Sequence, residues 1–242
     1  MKFFIGTSGW NYESFRDHLY GDAPKARFFE IYLRHFDTVE LNASFYRSFG
    51  EKTWMGWYKK TPTGFIWAVK ASRYITHIKR LDVEEDSLKI FFERARLLKE
   101  KLGPVLFQLP PNLPYDRVLF TRFLERLKRV SPQSIAALEA RHPTWHCTEV
   151  FDLLDEHSMA WVVSHTGDRY PMTITATGPI SYFRLHGPKR LYHGEYGKEA
   201  LSWWLEQMKS LKRDTYCYFD NTDDGSAVKD ALALKELVTT ST

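Results

Sequence analysis

Ser181-Tyr-Phe-Arg-Leu-His-Gly187 is a strand by pattern. Its side chains alternate between two faces with a period of two. Ser181, Phe183 and Leu185 make one face; Tyr182, Arg184 and His186 make the other. Gly187-Pro188 ends the strand, so an apolar back meets a front that becomes charged at the C-terminal end. Ligands in open and closed α/β sheets bind at that end of the strands. The stretch therefore predicts both an α/β scaffold and the side of it to search.

Outward from this strand, seven others recur: Lys2–Thr7, Thr38–Leu41, Phe65–Ala71, Val105–Leu109, Ile135–Ala140, Ala160–Val163 and Thr215–Phe219. Helical spacing of apolar residues predicts helices over Lys25–His35, Glu51–Lys60, Ser87–Leu102, Asp116–Val130, Thr148–His157, Lys198–Leu211 and Ser226–Val238. Gly103-Pro104 is expected to stop the third of these, and Asp116 to cap the fourth. Ser72 to about Asp86 reads as a polar insert. Strands alternating with helices pair in parallel through crossovers. Eight such units in 242 residues predict an α/β fold, a single closed parallel (β/α)8 TIM barrel, as one domain over residues 1–242. A doubly wound open sheet is the alternative. No linker, repeat or low-complexity tract interrupts the chain.

The other strands share the phase of the first. Trp67 and Val69 oppose Ala68 and Lys70; Val39 and Leu41 oppose Thr38, Glu40 and Asn42; Phe107 opposes Gln108; Leu138 opposes Glu139 and Arg141; Cys217 and Phe219 oppose Tyr218 and Asp220. The polar members fall at the C-terminal ends. Burying so many charges without pairing and a ligand is costly, which predicts a functional pocket there.

Composition is that of a globular protein: 43% hydrophobic, 26% charged, 16% aromatic. A net charge of +4 favours anionic partners weakly. Basic runs on helices (Lys99 and Lys101; Arg122, Arg126, Lys128 and Arg129; Lys209, Lys212 and Arg213) read as solvated faces. Two distant cysteines, Cys147 and Cys217, suggest a reducing compartment. No apolar run reaches the ~18 residues of a membrane span, and the N-terminus enters a strand without the shape of a signal peptide. The expected location is cytoplasmic, with no membrane partner; the oligomeric state is open.

Several segments together resemble the YecE-like family, domain of unknown function 72. They are Gly6-Thr-Ser-Gly9-Trp10, Glu40-Leu-Asn-Ala-Ser-Phe-Tyr46, Phe107-Gln-Leu-Pro-Pro111, Glu139-Ala-Arg-His142, Tyr182-Phe-Arg-Leu-His-Gly187 and Tyr218-Phe-Asp-Asn-Thr222. The resemblance runs from about Phe3 to Ala233 and implies a TIM barrel; it supplies no activity. It is similar in outline to the endonuclease IV and sugar-isomerase barrels, a likeness of fold alone. Many relatives carry an Asp after strand six where this chain has Ser164-His165, which puts in doubt any role that needs a carboxylate there.

The residues at the strand ends suggest chemistry. Glu40, Lys70, Glu139 and His186 are the candidate catalytic groups: carboxylates for acid/base work, an imidazole that titrates near neutral pH, and a lysine between them. Ser8, Trp10, Asn42, Tyr46, Gln108, Arg141, Arg184, Tyr196, Asp220 and Asn221 are the candidate substrate-binding groups, with Arg184 expected as a bidentate anchor for an anion. A Glu40–Lys70 salt bridge is the plain structural alternative for that pair. No cofactor is expected. The histidines lack convergent spacing, with Pro143 between His142 and His146, and no HExxH or CxxC is present, so no metal is assigned. A hard divalent cation on Glu40, Glu139 and Asp220 stays compatible with the residues. The function expected is an enzyme, of hydrolase, lyase or isomerase type, acting on a small anionic substrate bearing phosphate or sugar. The alternatives are a barrel that binds or cleaves nucleic acid across its aromatic loops, and a non-catalytic metabolite-binding module. Salt dependence separates nucleic-acid binding from the others.

Overall fold

The computed structural model describes residues 1–240. Its strands are β1 (Phe3–Thr7), β2 (Thr38–Leu41), β3 (Ile66–Lys70), β4 (Leu102–Gln108), β5 (Ala136–Glu139), β6 (Met159–His165), β7 (Ile180–Leu185) and β8 (Asp214–Phe219). The helices are α1 (Phe28–Tyr32), α2 (Ala43–Tyr46), α3 (Glu51–Lys60), α4 (Glu85–Ala95), α5 (Arg117–Val130), α6 (Thr148–Glu156), α7 (Gly197–Ser210) and α8 (Ser226–Thr240). The sheet order is β1-β8-β7-β6-β5-β4-β3-β2. An isolated parallel bridge between Ser8 and Glu40 joins the two ends of that order. The registered pairs β1–β8, β3–β4, β4–β5, β5–β6, β6–β7 and β7–β8 are all parallel. This is the (β/α)8 architecture of the TIM-barrel class. Two compact units make up the chain: Met1–Glu40, Val162–Ala176 and Ile180–Thr242 form one, Leu41–Trp161 and Thr177–Pro179 the other.

In the first unit the strand phase is as the alternation predicts. Phe183, on the apolar face of β7, meets Trp204 of α7 at 6.1 Å between rings. On the opposite face Phe4 stacks on Tyr216 at 4.6 Å, Tyr182 lies 5.5 Å from Tyr218, and Thr38 Oγ1 is 2.6 Å from the Tyr218 hydroxyl. α7 buries Leu201, Trp204, Leu205 and Met208, and α8 buries Ala227, Val228, Ala231 and Leu234. Gly6 is required by close approach: a Cβ there would stand 2.6 Å from the Thr38 carbonyl oxygen of β2.

In the second unit α5 is the best-defined helix. Asp116 caps it, accepting from the Leu119 backbone N–H at 3.0 Å, as its position predicts. Phe120, Phe123, Leu124 and Leu127 recur at helical spacing and are buried, Phe123 edge-on to Phe107 of β4 at 5.3 Å. Each such side chain contributes about 1.5–3 kcal/mol on burial.

Two expectations are corrected here. Ser87–Leu102 is not one helix. α4 stops at Ala95, a 3-10 turn covers Arg96–Lys101, and Lys99 takes φ +50°. The cause is tertiary: the Lys101 ammonium is buried and donates to the Tyr58 carbonyl (2.8 Å) and to the Thr61 carbonyl (2.5 Å) and hydroxyl (3.2 Å). Lys101 is therefore no part of a solvated basic face. The insert after β3 is not simply polar either, because Ile75, Leu81 and Val83 are buried and Tyr74–Ile78 forms a single π-helical turn. Among the described residues no helix is long and apolar enough to cross a membrane.

Candidate functional site

Each unit places charged side chains at the C-terminal ends of its strands. In the first, Arg184 comes from the penultimate position of β7, Glu40 from β2, Asp220 from just beyond β8 and Ser8 from just beyond β1. Glu40 is fully buried and Arg184 is 1% exposed. The Arg184 Nε lies 2.9 and 3.2 Å from the two Glu40 oxygens, and Nη2 donates to Glu40 Oε1 (2.8 Å), Asp220 Oδ2 (3.2 Å) and Ser8 Oγ (3.3 Å). Glu40 also accepts from the Ser8 hydroxyl (2.7 Å) and the Tyr182 hydroxyl (2.6 Å). Burial and the neighbouring Glu40 carboxylate push the Tyr182 phenol well up, so Tyr182 stays protonated and donating.

His186 completes this group. Its Nε2 is 3.3 Å from Arg184 Nη1 and its Nδ1 is 2.8 Å from Asp220 Oδ2. A guanidinium only donates, so Nε2 accepts from Arg184, while Nδ1 lies within ion-pair distance of Asp220. The ring is held between two protein groups.

This geometry bears on two roles read from the sequence. Arg184 has an acceptor on each of its nitrogens, two of them buried or nearly buried carboxylates. An incoming anion would have to compete with Glu40 for Arg184, which is an internal ion-pair partner. His186 is fully buried and spans Arg184 and Asp220, a positioning arrangement rather than an exposed acid/base. The carboxylate that balances Arg184 is Glu40.

Tyr196 and Asn221 are also brought together, in a brace. The Tyr196 hydroxyl accepts from the Gly187 N–H (3.1 Å) and lies 2.7 Å from His165 Nδ1. Its backbone N–H donates to Asp230 at 3.1 Å, and Asn221 Nδ2 donates to Asp230 Oδ2 at 2.7 Å and to the Gly194 carbonyl at 2.7 Å. These bonds pin the loop after β7 onto α8. Burial raises the Asp230 carboxyl to about 6. Gly187 serves the same loop: its φ is +123°, and a Cβ would run into the carbonyls of Arg190 and His193. Trp10 packs its ring on Phe29 at 4.7 Å.

Ser164 was missed as a site residue. It sits opposite Arg184 in the β6–β7 register, on the same face, and its buried hydroxyl has no hydrogen-bond partner among the described residues. The signal was present in sequence as a lone hydroxyl ending an apolar strand.

In the second unit Lys70, Gln108 and Glu139 are the last residues of β3, β4 and β5, and all are buried, Lys70 at 8% exposure. Gln108 and Glu139 are register partners, and Gln108 Nε2 donates to the Leu109 carbonyl at 2.5 Å. Arg141 follows β5 and donates from Nε to Glu139 Oε1 at 2.8 Å. The Lys70 ammonium sits 4.4 Å above the Phe45 ring. Asn42 precedes α2, and its buried side-chain oxygen has no hydrogen-bond partner among the described residues. Tyr46 is 77% exposed. Sequence reading also passed over His77. Its Nδ1 is 2.9 Å from Thr76 Oγ1 and its ring meets Phe45 edge-on at 4.9 Å. Burial first, then the positive charges of Lys70, Arg73 and Arg141, push its pKa down to about 4 against a smaller opposing effect of Glu139. His77 is thus kept neutral mainly by burial, with the nearby cations adding to the effect. Among the described residues no group of three His, Cys, Asp or Glu side chains is arranged to hold a metal ion.

Strand order, parallel register and charged C-terminal strand ends define a TIM-barrel protein of the α/β class. Its family follows from comparison. The chain matches the family described as "Protein of unknown function DUF72" over residues 4–242, and it belongs to that family. Over 97% of its length it is 25% identical to the UPF0759 protein YunF of Bacillus subtilis (strain 168), covering 94% of that protein. The crystal structure of a DUF72 family protein from Thermotoga maritima MSB8 superposes with a TM-score of 0.88 at 25% identity, over 99% of this chain and 100% of that one. A second, from Enterococcus faecalis V583, has a TM-score of 0.85 at 17% identity over 98% and 95% of the two chains. The resemblance read from the motifs is to this same family.

Proposed function

We propose that the protein is an enzyme acting on a small anionic substrate, one that bears a phosphate or a sugar acid group, held at the strand ends of the second unit. One observation carries the reading: three consecutive strands end in buried Lys70, Gln108 and Glu139, with Arg141 close behind. In barrels of this class ligands bind at the C-terminal ends of the strands, where these groups converge. The positive charges of Lys70, Arg73 and Arg141 around His77, secondary to burial among the causes of its lowered pKa, agree with an anion site there. In this reading Lys70 and Arg141 hold the anion, and Asn42 and Gln108 hydrogen-bond the neighbouring hydroxyls. Glu139, positioned by Arg141, moves the proton. His77 stays neutral at pH 7 and acts as a hydrogen-bonding wall.

The test is calorimetric titration of inorganic phosphate and glucose 6-phosphate into the protein, with His77 ring resonances followed by NMR. A bound anion offsets the Lys70, Arg73 and Arg141 charges, so the His77 pKa should rise from about 4 toward its ordinary 6.5. Lys70→Met and Arg141→Gln should each weaken binding by ~10-fold or more, the loss of one charged hydrogen bond. Absence of saturable binding together with an unmoved His77 would sink the reading. The exposed ring of Tyr46 beside Phe45 (centroids 4.9 Å, edge-on) favours a second reading, stacking of a single-stranded nucleic acid base. Binding of an oligonucleotide that falls steeply with salt and is lost in Tyr46→Ala would select that one.

A further inference from the structure

A cavity of about 250 Å³ opens in the second unit between α3, α4 and the turn Tyr74–Ile78. Its composition is unusual. Phe49, Phe91 and Ile75 supply apolar walls, while Arg47 and Arg94 stand among its lining residues. Both arginines are placed to meet an anion. The Arg47 guanidinium lies 4.5 Å over the Phe49 ring, which holds it against the wall. Arg94 pairs with Glu51 across an exposed contact, and an exposed pair of this kind is weak and easily exchanged.

The deciding residue is Trp54 of α3. It lines the cavity, is 2% exposed, and its indole N–H has no hydrogen-bond partner among the described residues. A buried donor without an acceptor is costly, and an acceptor brought into the cavity would relieve that cost. Apolar walls, an unpartnered indole N–H and two arginines together specify an amphiphile: an apolar body of modest size carrying one carboxylate. Pockets that bind small ligands have this make-up, mostly apolar with a few placed polar groups.

We propose that this cavity is a binding site for a small aromatic or aliphatic carboxylic acid, its apolar body against Phe49 and Phe91, and its oxygens serving Trp54 Nε1, Arg47 and Arg94. The site differs from the strand-end group in chemistry, since it selects for an apolar body, whereas Lys70, Arg141, Asn42 and Gln108 select for charge and hydroxyl groups.

The probe is 1-naphthylacetate, titrated by calorimetry into the full-length protein. One saturable site is expected. The neutral analogue 1-naphthylethanol should bind ~10-fold less tightly, because it gives up the arginines. Trp54→Phe keeps a ring and removes the donor; Arg94→Gln removes a charge at the surface. Each should weaken naphthylacetate by ~5–10-fold, one hydrogen bond's worth, and leave phosphate binding unchanged. Should Trp54→Phe fail to fold, Arg94→Gln and Arg47→Gln decide the matter, both being surface changes. Equal affinity in the wild type and these variants, or no saturable binding at millimolar naphthylacetate, overturns the proposal. So does displacement of the probe by inorganic phosphate, which would place it on the strand-end cations instead.

Discussion

Glu40 carries the balance of charge in its unit. It accepts from Arg184, Ser8 and Tyr182 at full burial. Removing one partner of a buried pair leaves the other charge uncompensated and costs about 3–5 kcal/mol. Glu40→Gln keeps the shape and loses the charge, so urea unfolding should show a loss of that order, and a loss below ~1 kcal/mol would mean that Arg184 relies on Asp220 instead. Arg184→Lys keeps the charge and gives up the fork that reaches Glu40, Asp220 and Ser8 at once; it should destabilise by ~1–3 kcal/mol with phosphate affinity unchanged. A selective fall in phosphate affinity would restore Arg184 as the anion anchor. In sequence, Arg184 and His186 stood out as polar residues in phase at a strand end, and the structure buries both. Their roles were not legible, because the groups that fill their hydrogen bonds come from β2 and from beyond β8, far away along the chain.

Between elements, the β1–β2 approach is one of the tight points in the first unit. The β1 backbone comes so near β2 that no side chain fits at position 6, and the Tyr32 hydroxyl of α1 fills the remaining space, accepting from the Thr7 N–H at 3.0 Å and donating to the Thr38 carbonyl at 3.0 Å. Gly6→Ala should therefore push the strands apart or displace Tyr32. The expected cost is ~1–3 kcal/mol, the range for overpacking, and denaturant unfolding measures it; a variant as stable as the parent would show that the strands yield at no cost. Gly6 appeared in sequence as part of a Gly-rich turn, but its neighbour was hidden. The α4 break shows the same limit. Helical periodicity continues through Lys99, and only the carbonyls of Tyr58 and Thr61 explain why the chain leaves the helix to bury Lys101.

For the whole molecule, two groups give the pH dependence of stability opposite signs. His77 has its folded pKa depressed to about 4 from 6.5. The unfolded chain binds the proton more readily, so this contribution is complete above pH 6.5 and is lost as pH falls toward 4. Asp230 has its folded pKa raised to about 6 from 3.8. Its folded form holds a proton better, so its contribution is complete below pH 3.8 and is lost as pH rises through 6. A shift of that size corresponds to ~3 kcal/mol. Asp230→Asn should gain relative to the wild type between pH 4 and pH 7, whereas the advantage of the wild type over His77→Gln should shrink as pH is lowered over the same range. Unfolding free energies at several pH values check both, and a flat difference in either variant shows that the group titrates alike in the folded and unfolded chains.

The fold itself was determined by local pattern. Period-two strands with one apolar face, helices between them and turn residues at their ends are properties of short stretches, and the strands formed within three residues of where that pattern put them. The family was legible for the same reason, since its motifs are contiguous segments at strand ends. Tertiary structure alone decided which charges neutralise one another. Glu40 meets Arg184 across 144 residues of chain, and Trp54 becomes a buried donor only in the folded chain. Hydrogen bonds and Coulomb forces act over a few ångströms, so they depend on distances that the order of residues does not carry.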